Sequence, residues 1–292
     1  MFERIAIFGV GLLGGSLGMA CRARGLAGEV IGVGRSEQRL ARAKELGAID
    51  RYTTDPQNGF APADLIVMAA PVRTIIETMP IVRGAARAGA LVTDVGSSKG
   101  SIVQTAQNVF RGSGILFIGS HPMAGSERTG VEHARADLYE GAPCYVTPCG
   151  DSPAAPVERL KAFWERLGAR VTLMPAERHD RIVAFLSHLP HAAAVAVIAA
   201  LGASGEERGL MRSLAGPGLL DTTRVAGGST DMWRDIFQEN RACVLEAIDA
   251  LARALADLRG AIEADDSCRL EAILDDARSL RNSLAHENSG AQ

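Results

Sequence analysis

Histidine is the side chain best suited to moving a proton near neutral pH, and three of the six in this chain sit in compact polar motifs. His121 stands before Pro122, just past the apolar run Ile115 to Ile118, which reads as a strand. At a strand end it can act as a general base, or it can simply cap a turn. Ser97, in the polar turn Gly96-Ser97-Ser98-Lys99-Gly100, has a hydroxyl that could orient it. Lys99 in the same turn is a rival base. His188 and His191 stand three residues apart, a spacing that can hold a metal. No acidic third ligand lies beside them, and a hydrogen bond to an organic acid is the simpler expectation. Arg224 could clamp a carboxylate, since guanidinium matches carboxylate geometry, or it could pair with Asp221 or Asp231. Trp233 follows one short loop later.

These residues need a frame, and the frame starts at the N-terminus. Arg4 to Phe8 is a buried-strand sequence, and a helical pattern follows from Leu12. Between them lie Gly9, Gly11 and Gly14 in the spacing G-x-G-x-x-G. Gly9 permits the tight turn, Gly11 admits a pyrophosphate to the backbone, and Gly14 lets the helix pack on the strand. The helix's free N–H groups and positive dipole end favour a dinucleotide diphosphate. Leu12 and Leu13 open that helix and belong to the expected cofactor-binding set, as does Ser97, placed to meet a nicotinamide carboxamide.

A second strand, Glu29 to Gly34, ends in Arg35-Ser36, with no acidic residue before Glu37. An acid there would grip a ribose 2′-hydroxyl, whereas Arg35 suits a 2′-phosphate. NADP is therefore the expected cofactor, with NAD as the alternative, and Arg35 and Ser36 are placed at its ribose. Further strands are expected at Asp64 to Ala70, ending in Pro71, then at Leu91 to Val95, Ala142 to Thr147 and Arg170 to Met174. Helices between them imply a Rossmann-type, doubly wound, mostly parallel α/β sheet. Ligands in such sheets sit beyond the C-terminal strand ends, where Gly11, Pro71, Ser97 and His121 fall.

After Met174 strand signals cease. Residues 1–174 are expected to be the dinucleotide-binding domain and 175–292 an all-helical domain for substrate and dimerisation. Arg181 to Leu201 reads as a buried helix, although its uncharged stretch from Ile182 is long enough to test as a membrane span. Trp233 to Ile262 carries one apolar seam, and Leu270 to Leu284 another. Those seams point to a homodimer through the helical domain. The net charge of −3 gives no argument for nucleic acid or an anionic membrane. Five scattered cysteines, none in C-x-x-C, fit a reducing compartment and a cytoplasmic location.

The motifs Gly9-Val10-Gly11-Leu12-Leu13-Gly14-Gly15-Ser16, Asp94-Val95-Gly96-Ser97-Ser98-Lys99, Gly119-Ser120-His121-Pro122-Met123-Ala124-Gly125, Ser187-His188-Leu189-Pro190-His191 and Met232-Trp233-Arg234-Asp235-Ile236-Phe237 together resemble the prephenate/arogenate dehydrogenase family. The resemblance runs nearly end to end and implies oxidative decarboxylation of prephenate or arogenate with hydride transfer to a nicotinamide. It implies that His121 takes the ring hydroxyl proton, oriented by Ser97. It implies that Arg224 binds a substrate carboxylate and that His191 touches substrate. It also places Ser126 and Glu127 at the pocket mouth, and Trp233 near a pocket shared across a dimer. Two other readings compete: a 3-hydroxyacid dehydrogenase of similar fold using Lys99, and a nucleotide-binding regulatory protein with a dead pocket.

Overall fold

The computed structural model describes residues 1–125, 128–150 and 152–289. Six parallel strands make the main sheet: β1 (Phe2–Phe8), β2 (Ala27–Val33), β3 (Arg51–Thr53), β4 (Leu65–Met68), β5 (Leu91–Asp94) and β6 (Leu116–Phe117). Their spatial order is β3-β2-β1-β4-β5-β6, the doubly wound order in which the chain reverses direction between β1 and β4. The helices are α1 (Leu12–Ala23), α2 (Glu37–Glu45), α3 (Pro56–Phe60), α4 (Val72–Ala85) and α5 (Gly100–Phe110).

Strand alternation explains why both faces are covered. Ile5 and Ile7 of β1, with Leu65 and Val67 of β4, face a core that includes Leu17 and Cys21 of α1. Ala6, Ile66 and Met68 point the other way, into a core with Ile75 and Met79 of α4 and Ile102 and Ala106 of α5. Side chains buried on both faces are why these strands read as continuous apolar runs. Helix α4 runs through Pro80 without interruption.

A second sheet departs from the expected single one. It comprises β7 (Gly119–Pro122), β8 (Pro143–Thr147) and β9 (Arg170–Leu173), with α6 (Ala154–Arg166) between the last two. Strands β7 and β8 are antiparallel, and β8 and β9 are parallel. His121 therefore lies within a strand, opposite Tyr145, and not at the tip of the run that holds Leu116 and Phe117. Gly119 and Ser120 turn the chain out of the main sheet, and Ser120 N–H donates to the Asp94 carboxylate at 3.2 Å. That bond holds β7 against the C-terminal end of β5.

The rest of the described chain is helical: α7 (Ala176–Val183), α8 (Leu189–Gly202), α9 (Arg208–Leu214), α10 (Pro217–Thr223), α11 (Thr230–Glu239), α12 (Arg241–Glu263) and α13 (Ser267–Ser289). The expected seam from Trp233 to Ile262 is broken at buried Asn240, between α11 and α12. By packing, the chain divides into Met1–Val244 and Leu245–Gln292. In the second unit Asp265, in a left-handed conformation, lies between α12 and α13, and Arg269 pairs with Asp257.

The helix expected to be buried is not. Ala176–Gly202 is apolar and long enough to cross a membrane by length and composition, yet only 28% of its most apolar window is buried. His191 and Ala194 of α8 face inward, while Val195, Val197 and Ile198 are exposed. The helix also changes pitch. Pro190 has no N–H to return to the turn before it, and Ala184–His188 forms a wide π turn between α7 and α8. Such turns commonly reposition functional side chains; this one ends on His188.

Candidate active site

The glycine turn has the geometry its spacing implies. Gly9 has φ +91°, and a Cβ there would sit 2.4 Å from the Ala69 carbonyl oxygen. At Gly14 a Cβ would meet the Gly9 carbonyl at 2.1 Å, so only glycine allows α1 to lie this close to β1. Gly11 has nothing within 4 Å of its virtual Cβ. It is also the N-cap of α1, where no side chain caps the helix. An open backbone and uncapped N–H groups fit a dinucleotide diphosphate.

A cleft of about 1120 Å³ opens there, lined by Gly9, Gly11, Arg35, Ser36 and Pro71 among others. Five of the expected cofactor residues thus come together. Leu12, Leu13 and Gly14 form the adjoining first turn of α1 and do not line the cleft. Ser36 caps α2, its hydroxyl accepting from Arg39 N–H at 3.4 Å. Arg39 also lines the cleft. Neither guanidinium, Arg35 nor Arg39, has an ion-pair partner among the described residues.

His121 is buried on β7, with one nitrogen tied to a residue absent from the sequence reading. Its Nδ1 lies 2.8 Å from Nε2 of His179 on α7. Nδ1 of His179 lies 2.8 Å from Oδ1 of Asp180. Asp180 also accepts from Lys99 N–H at 2.7 Å and from Gly100 N–H at 2.8 Å, so its carboxylate caps α5. Burial pushes the Asp180 carboxyl up, but the His179 bond and the two backbone bonds outweigh it and hold it below the ordinary value. An ionised carboxylate only accepts, so His179 Nδ1 carries a proton and its Nε2 accepts from His121 Nδ1–H. His121 Nε2 is then the bare nitrogen, and it has no hydrogen-bond partner among the described residues. Burial, with His179, Lys99 and His188 nearby, lowers the His121 pKa well below 6.5. The ring is neutral at pH 7 and able to take a proton.

Contacts continue from this pair toward the other predicted residues. Asn240 Nδ2 donates to the Asp180 carbonyl at 2.8 Å and lies 3.3 Å from His188 Nδ1. His188 meets Trp233 edge-on, and His191 stacks flat on Trp233 with centroids 3.5 Å apart. The buried nitrogens His188 Nε2 and His191 Nδ1 have no hydrogen-bond partner among the described residues. Two expected substrate residues, His191 and Trp233, are thus in contact. Arg224 lies on the surface at the start of a 3-10 turn, Arg224–Gly227, after α10. Asp231 pairs with Arg234 at 3.0 Å. Ser126 and Glu127 lie outside the described residues.

Two expectations about the turn after β5 change. Ser97, half-buried, makes no hydrogen bond to His121 among the described residues; His179 occupies that position instead. Lys99 is not an available base. It is fully buried, and its Nζ binds the Asp94 carboxylate and the Ser120 carbonyl. Its ammonium ties β5 to β7 and has no free face for substrate. Sequence reading missed His179, Asp180 and Asn240 because none belongs to a glycine, proline or histidine motif. The adjacent pair His179-Asp180 on the first helix after Pro175 was the available signal.

An open glycine turn stands at the C-terminal end of β1, and a neutral imidazole with a bare nitrogen stands on β7, which Ser120 ties to Asp94 at the C-terminal end of β5. That combination defines a dinucleotide-dependent dehydrogenase. Residues 17–173 match the family model for the prephenate dehydrogenase nucleotide-binding domain, and residues 175–276 match the model for the prephenate dehydrogenase dimerization domain. The chain is 34% identical over 270 residues to a cyclohexadienyl dehydrogenase of Zymomonas mobilis, covering 91% of this chain and 90% of that protein. It is 31% identical to a prephenate dehydrogenase of Bacillus subtilis, covering 100% of this chain and 78% of that one. The crystal structure of the Aquifex aeolicus prephenate dehydrogenase in complex with hydroxyphenyl propionate and NAD+ superposes with a TM-score of 0.91 at 32% identity, over 97% of this chain and 99% of that one. The chain belongs to the prephenate dehydrogenase family.

Proposed function

We propose that this enzyme oxidatively decarboxylates prephenate or arogenate, giving 4-hydroxyphenylpyruvate or tyrosine. The observation that carries the reading is the bare Nε2 of His121, a neutral acceptor on β7, the strand that Ser120 ties to the C-terminal end of β5. With a nicotinamide bound, the ring carbon would give hydride to it and the hydroxyl proton would pass to His121 Nε2; the carbon–carboxylate bond then breaks to release CO2, its electron pair makes the ring aromatic as a phenolate, and the phenolate oxygen takes the proton back from His121. His121 accepts its proton without first giving one up, because burial keeps it neutral. Arg224 supplies a cation for a substrate carboxylate. His191 and Trp233 form a flat wall against which a six-membered ring can lie, with the unpartnered His188 Nε2 and His191 Nδ1 offering polar contacts. Ser97 orients the cofactor carboxamide. Residues 1–174 serve the cofactor and 175–292 the substrate and dimer.

NADP is the preferred cofactor. Strand β2 ends without an acid, and two arginines line the cleft without ion-pair partners among the described residues, which suits a 2′-phosphate. The protein is a cytoplasmic homodimer. The exposed Val195, Val197 and Ile198 on α8 support this, as does the dimerization-domain match. Initial rates with prephenate and arogenate, each crossed with NADP+ and NAD+, test the whole reading. Reduced nicotinamide and an aromatic product from one of the acids, fastest with NADP+, is the expected result. No reduction with either acid and either cofactor would overturn it.

A further inference from the structure

We infer that His179 and Asp180 form a positioning relay that fixes which nitrogen of His121 is free to act. The inference rests on the reading of His121 as the base. It deepens that reading by naming residues that touch neither substrate nor cofactor. The three groups run in one line, His121 Nδ1 to His179 Nε2 at 2.8 Å and His179 Nδ1 to Asp180 Oδ1 at 2.8 Å. Each link has one sense. Asp180 is ionised and only accepts, so it takes the His179 proton. His179 then only accepts at Nε2, so His121 must donate from Nδ1. A neutral imidazole with Nδ1–H has its lone pair at Nε2. The line thus excludes the other tautomer, which would present an N–H where substrate must give up a proton.

Asp180 is itself held firmly, and by the element next to the expected cofactor serine. Its two oxygens accept from the first two N–H groups at the start of α5, those of Lys99 and Gly100. Those residues end the turn that carries Ser97. One carboxylate therefore fixes the tautomer of the base and the position of that turn together. A carboxylate at a helix N-terminus is also favoured by the helix dipole. When His121 takes a proton, no bond in the line has to break. His121 Nδ1–H still donates to His179, and the negative Asp180 lies beyond it to offset the new positive charge.

The other groups around the line support the same sense. From β8, Tyr145 lies with its ring 5.5 Å from His179 and edge-on to it. From the turn after β5, Lys99 is present with Asp94, its own counter-ion. From the π turn, His188 is held by burial at a pKa of about 4, so it is neutral at pH 7. Cys144 on β8 is a thiol, its pKa pushed up by burial beyond the working range. None of these can supply the fixed negative charge that Asp180 provides.

The test compares His179→Gln, His179→Phe and Asp180→Asn with the wild-type holoenzyme. Melting temperature and the dissociation constant of the reduced nicotinamide are measured alongside kcat against pH. Glutamine can still accept from His121 Nδ1–H through Oε1, so His179→Gln should keep kcat within about tenfold of wild type. His179→Phe cannot, and should lose about a hundredfold or more, with cofactor binding unchanged within about twofold. Asp180→Asn removes the offsetting charge, and should lower the plateau and move the acid limb of kcat to lower pH. Nitrogen NMR of the wild-type histidines gives a reading that needs no variant. His121 and His179 should each carry the proton on Nδ1. Wild-type kcat and pH profile in a folded His179→Phe variant would overturn the relay, as would a His121 protonated on Nε2. Wild-type kcat in His121→Asn would instead overturn the assignment of the base.

Discussion

His191 lies flat on Trp233, their ring planes 11° from parallel and their centroids 3.5 Å apart. One residue comes from α8 and the other from α11, so the stacked pair joins the two helices that expected substrate contacts depend on. His188 approaches the same indole edge-on from the π turn. Removing the indole should therefore disturb two histidines at once. Trp233→Leu is expected to raise the KM for the cyclohexadienyl acid about ten- to a hundredfold. An aromatic anchor and its stacking are typically worth about 1–3 kcal/mol. The dissociation constant of the cofactor should not change. Steady-state kinetics with a separate cofactor titration measure both.

His188 makes stability depend on pH. Burial lowers its folded-state pKa from 6.5 to about 4, with Asp180 opposing the shift. Between those values the unfolded chain binds more protons than the folded one, so stability is full above pH 6.5 and is lost as pH falls toward 4. The complete shift is worth about 3 kcal/mol. Melting temperature should fall across that interval, and the fall should be shallower in His188→Asn, whose side chain does not titrate. An identical slope in the variant would remove His188 from the account.

The proposed NADP preference rests on Arg35 meeting a 2′-phosphate. Charge-assisted hydrogen bonds are typically worth about 1.5–3 kcal/mol, so Arg35→Ala should lower kcat/KM for NADP+ about ten- to a hundredfold and leave NAD+ within about twofold. Arg39→Ala should act in the same direction with a smaller effect, because Arg39 stands one turn further along α2. Equal losses with both cofactors would mean that these arginines read no 2′-phosphate.

Local spacing made part of this architecture legible. The strand–turn–helix at Gly9, Gly11 and Gly14 was readable because close backbone approach excludes a side chain at Gly9 and Gly14, while Gly11 leaves the backbone open. The parallel strands were readable because both faces are buried, leaving unbroken apolar runs. His121 was found by type, but its strand was misassigned: whether a four-residue segment ends one sheet or starts another depends on tertiary pairing. His179 and Asp180 were invisible because their role comes from meeting β7 and the start of α5, 58 and 80 residues away along the chain. Lys99 could not be judged from sequence because the difference between a free amine and a buried ion pair is one of burial alone. The apolar helix around His191 was read as core because an exposed apolar face and a buried one are spelled with the same residues.

The central claim is tested most directly by single-turnover hydride transfer in His121→Asn, with the cofactor and the acid substrate both at saturation. Asparagine keeps a donor toward His179 but offers no basic nitrogen. The account predicts a rate lower by about a hundred- to ten-thousandfold, with the cofactor dissociation constant unchanged and the loss partly recovered as pH rises and the substrate hydroxyl yields its proton to solvent. Hydride transfer at the wild-type rate, with the same pH profile, would contradict it.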